Sequence, residues 1–296
     1  MMRCPTCLVE LEGGFTELGR HIFNQQIQND AGHITWINRY VGRSRTDEDT
    51  FISKVTAVFQ NESLKEWIVH QFVRKFYGAD PHQFIIAMQR PSKFVLLGYA
   101  YEHHHFLKQW VKSCASIISN TDIEEVQHYE LDNISSEWHG AGSTIPSHHE
   151  LLLRMGESYG VKREDIYATE ALDSTKLAIS TWDYICRDLT FVEGMAAMHS
   201  LELIANRNIR NYGSSVGYFN PEILSDGSVT METAEFLKEG YQADVIHSEV
   251  ALDMIEKYSK KLNLVQPVQA IVMKSMEEFD NYLNARLERG VMLENK

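Results

Sequence analysis

The stretch Asp132–Gly160 reads DNISSEWHGAGSTIPSHHELLLRMGESYG. It sets Glu137, His139, His148, His149 and Glu150 beside apolar segments, with a Gly-rich break between them. Carboxylate and imidazole brought together on helices are the donor set that iron, manganese or zinc requires. The same stretch argues for helices. Pro146 suits the first turn of a helix, where its missing N–H is not needed. His148–Tyr159 then keeps helical spacing, and Gly160 supplies a C-terminal cap. One such stretch decides little alone, so the rest of the chain must supply partners.

Working outward, the apolar spacing stays helical. Pro91-Ser92 opens a long helix over 93–119, and 122–136 follows. Before them, Phe15 starts an amphipathic run, and 50–76 reads as helix broken near Asn61. Ser63-Leu-Lys-Glu66 is a capping-box pattern ahead of Trp67, Ile68, Phe72 and Phe76. Beyond Gly160, helices are expected over 173–187, 189–212 (ended by Gly213), 230–260 and 267–289. No alternating strand pattern survives, and six prolines in 296 residues suit long uninterrupted helices. The expectation is one all-α domain over 46–296, with an N-terminal extension over 1–45.

A formal net charge of -13, with no basic stripe to offset it, argues against a nucleic-acid partner and against anionic membranes. No run approaches the roughly 18 apolar residues of a membrane span, and no export signal is read at the N-terminus. The four cysteines are few enough to suggest a reducing cytoplasm. Cys114 and Cys186 read as buried thiols. Cys4-Pro-Thr-Cys7 has the spacing of a zinc knuckle or redox pair but lacks a second pair. Its plain reading is a loose tail, and the alternative is a zinc shared with His21 or across a dimer.

Residues three or four apart share a helical face. Glu202 falls on the stripe of Met195, Met198, Ala205 and Ile209, where an isolated charge is costly to bury. Asp244 and His247 are spaced i,i+3 beside Leu237, Tyr241 and Ala251, and Glu102 and His105 repeat that spacing. Each has a plain reading as an ion pair, a helical hydrogen bond or a solvated face; the signal is their convergence. Paired-iron cages of the ferritin type take single and paired ligands in alternation. The order here is pair, single, single, pair, which does not fit that bundle.

The order resembles instead the haem-oxygenase-like diiron oxidases, relatives of the TenA and PqqC helical proteins. The resemblance covers roughly 93–260. It is carried by Glu137 followed by His148-His-Glu-Leu151, by Glu202 in AAMHSLELI, and by Asp244 and His247 in KEGYQADVIHSE. The family's first His of the last motif falls on Gly240, so one ligand is missing. Glu102 would replace it, with Glu239, His105 and His199 as competitors.

The resemblance implies a haem-oxygenase-like helical bundle. It implies two Fe(2+) per chain on Glu102, Glu137, His148, Glu202, Asp244 and His247, with dioxygen as co-substrate. The reaction menu is N-oxygenation, or oxidative C–C cleavage or decarboxylation, of a small amino acid or carboxylic acid in specialised metabolism. Arg154, Arg207 and Arg210 are candidate partners for the substrate carboxylate, and Tyr99, Tyr101, Trp110 and Trp138 candidate pocket aromatics. The expected partner is a small molecule, with a homodimer allowed. Two other readings stay open: a metal-free TenA- or PqqC-like enzyme acting on a small heterocycle, and a non-catalytic helical binding protein.

Overall fold

The computed structural model describes residues 2–43, 46–60, 63–140 and 146–296, and for 241–247 the backbone alone. A two-residue hairpin, β1 (Met2–Arg3) and β2 (Glu10–Leu11), precedes the helices α1 (Gly14–Ile27), α2 (Ala31–Tyr40), α3 (Glu48–Phe59), α4 (Leu64–Phe76), α5 (Gln83–Met88), α6 (Lys93–Ser119), α7 (Glu124–Trp138), α8 (His148–Ser158), α9 (Arg163–Ala168), α10 (Asp173–Asp188), α11 (Phe191–His199), α12 (Met231–Lys261) and α13 (Val265–Glu294). The all-α expectation holds. The hairpin, α2 and α9 were not anticipated. The break near Asn61 and most of the Gly-rich loop at 139–145 lie outside the described residues.

Side-chain caps start several of the helices around the cavity described below. Ser92 Oγ accepts from Val95 N at 3.3 Å for α6, and Ser147 Oγ from Glu150 N at 3.2 Å for α8. Thr190 and Glu193 close a full capping box at the start of α11. At Ser63 only half the expected box forms, because Glu66 takes the Ser63 hydroxyl rather than its amide. Gly160 adopts φ +85 after α8, which a residue with a Cβ resists.

The expected helix over 189–212 breaks into three pieces. Every residue of α11 is buried, as befits a helix that is apolar on all sides. At Ser200 the backbone tightens into a 3-10 turn to Ile204, and a second 3-10 turn runs Arg207–Tyr212. The Tyr77 hydroxyl donates to the Ile204 carbonyl, and Asn206 Nδ2 donates to Ser248 Oγ of α12 at 2.8 Å. These bonds hold the turn against its neighbours.

Helix α13 packs along α6 and also against α10 and α11. Where α6 and α13 cross, Gly98 faces Gly290. A Cβ on Gly98 would collide with the Arg286 carbonyl and lie 2.7 Å from Gly290 N, and one on Gly290 would lie 2.7 Å from the Phe94 carbonyl oxygen. One apolar core runs from Met2, Cys4, Leu18 and Trp36 through to Tyr282 and Leu283. Residues 2–43 are therefore packed into the bundle, and the loose-tail reading of Cys4 to Cys7 is corrected: Met2 and Cys4 lie in that core. Among the described residues no helix is long and apolar enough to cross a membrane.

The two kinds of helical glycine separate in a mutational test. Gly98→Ala forces backbone apart and is expected to cost about 3 kcal/mol, the upper end of overpacking penalties. At Gly240 in α12 an added Cβ meets nothing within 4 Å, so Gly240→Ala is expected to gain about 0.5–1 kcal/mol from lost unfolded-state entropy. Urea unfolding of both variants measures the difference.

Candidate active site

A cavity of about 100 Å³ lies between α6, α7, α8, the 3-10 turn, α12 and α13. That is room for several waters or one small molecule. Glu137, His148 and Glu202 line it, and so do Tyr99, His103, Tyr218 and Arg286. Phe106, Trp110, Leu237 and Phe279 supply apolar wall between them, and Gly240 opens the α12 side.

The acidic side is built from facing helices. The end of α7 brings Glu137 Oε1 to 2.8 Å from His148 Nδ1 at the start of α8. Behind the cavity, His199 is fully buried between two carboxylates: Nε2 lies 2.8 Å from Glu130 Oε1 and Nδ1 3.0 Å from Glu202 Oε1. Burial alone would lower the His199 pKa; Glu130 and Glu202 outweigh it and raise it to about 10. An imidazolium engaged at both nitrogens is a brace for Glu202, in the way outer hydrogen bonds orient metal ligands. Trp110 stands edge-on to His199 at 5.2 Å. Among the described residues, Glu130 Oε2, Glu137 Oε2 and Glu202 Oε2 are buried without a hydrogen-bond partner. Such oxygens are costly, and in the two glutamates that line the cavity they are free to take a cation. Carboxylate and imidazole are donor types that iron takes.

The lining also holds a cation. Arg286 is buried, with its guanidinium carbon 4.0 Å from the Tyr99 ring centre and 4.4 Å from that of Tyr282. It donates to Tyr218 Oη at 3.2 Å, Tyr282 Oη at 2.7 Å and His103 Nδ1 at 3.0 Å. Burial first, then Arg286, holds the His103 pKa well below the ordinary range, so this imidazole is neutral.

A second cluster lies in the N-terminal segment. Cys4 and Cys7 in the hairpin turn, His21 on α1 and His33 on α2 place four ligand atoms within 4.8 Å of one another. Cys4 Sγ–His33 Nε2 is 3.3 Å, Cys7 Sγ–His21 Nε2 3.4 Å and His33 Nε2–His21 Nε2 3.3 Å. Tetrahedral zinc with bonds of about 2.0–2.3 Å has edges of about 3.3–3.8 Å, so two thiols and two imidazoles fit it. His33 Nδ1 meets Asp30 Oδ1 at 2.6 Å, the outer bond that fixes a ligating ring. The Cys4 hydrogen bond is the largest of the effects that lower the Cys7 pKa, to about 3, while the same contact and burial push Cys4 up.

The model of the TENA/THI-4/PQQC family matches residues 67–289, well over half of the chain. The chain belongs to the TENA/THI-4/PQQC family. A C2H2 type zinc-finger model matches residues 1–60. Among solved structures, the chain is similar to a domain of unknown function with a heme oxygenase-like fold from Shewanella denitrificans OS217 (TM-score 0.56, 17% identity, 85% of this chain and 96% of that one). It is also similar to a TenA homolog from Pseudomonas syringae pv. tomato DC3000 (TM-score 0.56, 14% identity, 79% and 92%). A TenA family transcription regulator from Silicibacter sp. TM1040 aligns at TM-score 0.52 and 8% identity over 77% and 99%. These likenesses establish the haem-oxygenase-like fold. No curated protein matches the sequence.

Within this TENA/THI-4/PQQC-family bundle, Glu137, His148 and Glu202 come together as the sequence suggested, and Tyr99 and Trp110 join them in the wall. The side chains of Asp244 and His247 lie outside the described ones. Glu102 does not reach the cavity: Arg289 Nε donates to its Oε1 at 2.7 Å and Leu172 N to its Oε2 at 3.2 Å, at the start of α10. His105 bonds the Thr169 carbonyl at 3.0 Å, and His199 braces Glu202 from behind. The three expected arginines are also elsewhere. Arg154 pairs with Glu150 at 2.9 Å, and Arg207 and Arg210 are exposed because the 3-10 turns change the face count after Glu202. Tyr101 and Trp138 do not line the cavity. Glu130, Arg286 and His33 were not anticipated. Glu130 sits two turns before Glu137 on one face of α7, and Arg286 shares a face of α13 with Phe279 and Tyr282, so helical spacing held a signal for both.

The raised His199 pKa has a pH consequence. A group whose folded pKa exceeds its unfolded value of about 6.5 contributes stability that is full below that value and is lost as pH rises through the folded value. In metal-free protein, the melting-temperature advantage of wild type over His199→Gln is expected to be largest below pH 6.5 and to shrink as pH approaches 10. Thermal denaturation of both proteins across that range measures it.

Proposed function

We propose that this chain is a non-haem iron enzyme that uses dioxygen to oxidise a small amino acid or carboxylic acid. The carrying observation is the pair of partnerless buried oxygens, Glu137 Oε2 and Glu202 Oε2, in residues that line one cavity with His148. Glu137, His148 and Glu202 would hold iron, two ions per chain, completed by Asp244 and His247. Positions 240, 244 and 247 are spaced i, i+4, i+7 on α12, so they share the face that Gly240 turns to the cavity. Iron on such a set supplies the electrons that activate dioxygen for N-oxygenation or for oxidative C–C cleavage or decarboxylation.

The chain's own residues do the rest. His199 holds Glu202 Oε1 and leaves Oε2 for the ion. Phe106, Trp110, Leu237 and Phe279 keep bulk water from the reacting end. A metal-free TenA- or PqqC-like reaction on a heterocycle is the second reading. It is favoured by the 2.8 Å Glu137–His148 pair, which satisfies one ligand with another.

Anaerobic loading with ferrous iron separates the two. About two irons per chain and oxygen consumption are expected, with both lost in Glu202→Ala while helical circular dichroism persists. His199→Gln is expected to weaken iron binding by about 10–100-fold, the range for outer hydrogen-bond partners. Absence of iron uptake by wild type would move the assignment to the metal-free reaction.

The N-terminal cluster is proposed to hold one structural zinc on Cys4, Cys7, His21 and His33. Wild type is expected to carry one zinc per chain, and Cys7→Ser to lose it with a lowered melting temperature, because metal and fold are coupled. Elemental analysis beside calorimetry checks this, and zinc at full occupancy in Cys7→Ser would refute it.

A further inference from the structure

We propose that Arg286, with Tyr218 and Tyr282, is the subsite that takes the substrate's carboxylate. The end of the molecule presented to Glu137, His148 and Glu202 is then the end away from that carboxylate. This rests on the reading of the cavity as the reaction site.

The argument begins with cost. A buried charge without a counter-ion is destabilising by several kcal/mol. The chain has 41 acidic residues against 28 basic ones, and its other inward-facing cations all use them. Arg3 pairs with Glu193, Arg39 and Lys75 with Glu277 and Asp280, Lys274 with Glu278, and Arg289 with Glu102. Arg286 is more deeply buried than these arginines, and among the described residues no carboxylate pairs with it. The rings of Tyr99 and Tyr282 offset part of the cost through cation–π contacts.

The donors point the same way. A guanidinium has five N–H groups, and Tyr218, Tyr282 and His103 are its three hydrogen-bond partners. Nε is buried without one. A cation lining a cavity, fixed in orientation by phenols and with a donor in reserve, is made for a carboxylate, whose two oxygens match its planar fork.

The cavity sets the rest of the ligand. Its α6 wall runs from Tyr99, under Arg286, to Trp110, against His199. At about 1.5 Å per residue that is roughly 16 Å. Between the ends the wall is Phe106, Leu107 and Phe279. A carboxylic acid with an apolar chain of a few carbons suits Arg286 and this apolar wall.

Isothermal titration of the full-length protein with hexanoate, hexanamide and hexylamine tests this. Hexanoate is expected to bind about 30-fold or more tightly than hexanamide, the loss typical when a buried charge pair is broken. That comparison needs no variant. In Arg286→Gln the preference is expected to fall below about 3-fold, with Arg286→Lys intermediate because it keeps charge without the fork. Equal binding of acid and amide by wild type, or an undiminished preference in Arg286→Gln, would overturn the inference. Glu202→Ala separates the two readings. Acid preference kept in that variant supports the Arg286 subsite, whatever the iron result; preference lost there, but kept in Arg286→Gln, moves the carboxylate to the Glu137–Glu202 side and overturns it.

Discussion

The backbone contact of α6 with α13 sets the rest of the structure. Two glycines meeting at a helix crossing let the main chains approach more closely than any side chain allows, and the Arg286 carbonyl lies against Gly98 in consequence. The Arg286 guanidinium then runs over the ring of Tyr99, the residue after Gly98, and on to His103, one turn further along α6. The same approach stacks Phe106 on Tyr282 at 5.1 Å and 17°. A wider crossing would leave Arg286 to solvent and the aromatic wall unpacked. Cavity shape and the position of its one buried arginine therefore follow from two residues that have no side chains.

The buried charges follow a second constraint, which is that each must meet an opposite charge or a donor. Glu130 and Glu202 share His199; Glu193 has Arg3; Glu278 has Lys274. Among the described residues some of these groups still keep an unmet atom: the outer oxygens of Glu137 and Glu202 and Nε of Arg286 in residues that line the cavity, and Oε2 of Glu130 and Glu278 away from it. On the reading proposed above, a metal ion would meet the unmet oxygens of Glu137 and Glu202, and a carboxylate would meet Arg286.

How much of this was legible depends on where each residue's partner lies. That Glu137, His148 and Glu202 line one cavity was foreshadowed in two ways: Glu202 is a charge on an apolar stripe, and Glu137 and His148 follow the family's motif order. Glu102 is likewise a charge on a partly apolar face but does not line the cavity, since its partners, Arg289 and the Leu172 amide, come from α13 and the start of α10. Nothing within a few residues of Glu102 encodes them. His33 was hidden by spacing: zinc fingers place their histidines three to five residues apart, whereas His21 and His33 come from separate helices. The break after His199 was hidden because five residues, Ser200–Ile204, fit a 3.0 or a 3.6 period about equally well. That break in turn misplaced Arg207 and Arg210, whose assignment assumed an unbroken helix.

The N-terminal cluster and the cavity are linked through α11. Arg3, the residue before Cys4, pairs with the fully buried Glu193. Glu193 also closes the capping box with Thr190, with Oε2 accepting from the Thr190 hydroxyl at 2.6 Å and amide at 3.1 Å. The two carboxylate oxygens thus divide their work, one for the hairpin and one for the helix start. Nine residues on, the same segment delivers Glu202 to the cavity. Because α11 is buried along its whole length, it cannot shift without repacking the core, and a close-packed interior transmits such a shift rather than absorbing it. Losing the hairpin would strand the outward oxygen of Glu193 in the core without its cation, a cost that falls on the helix holding Glu202.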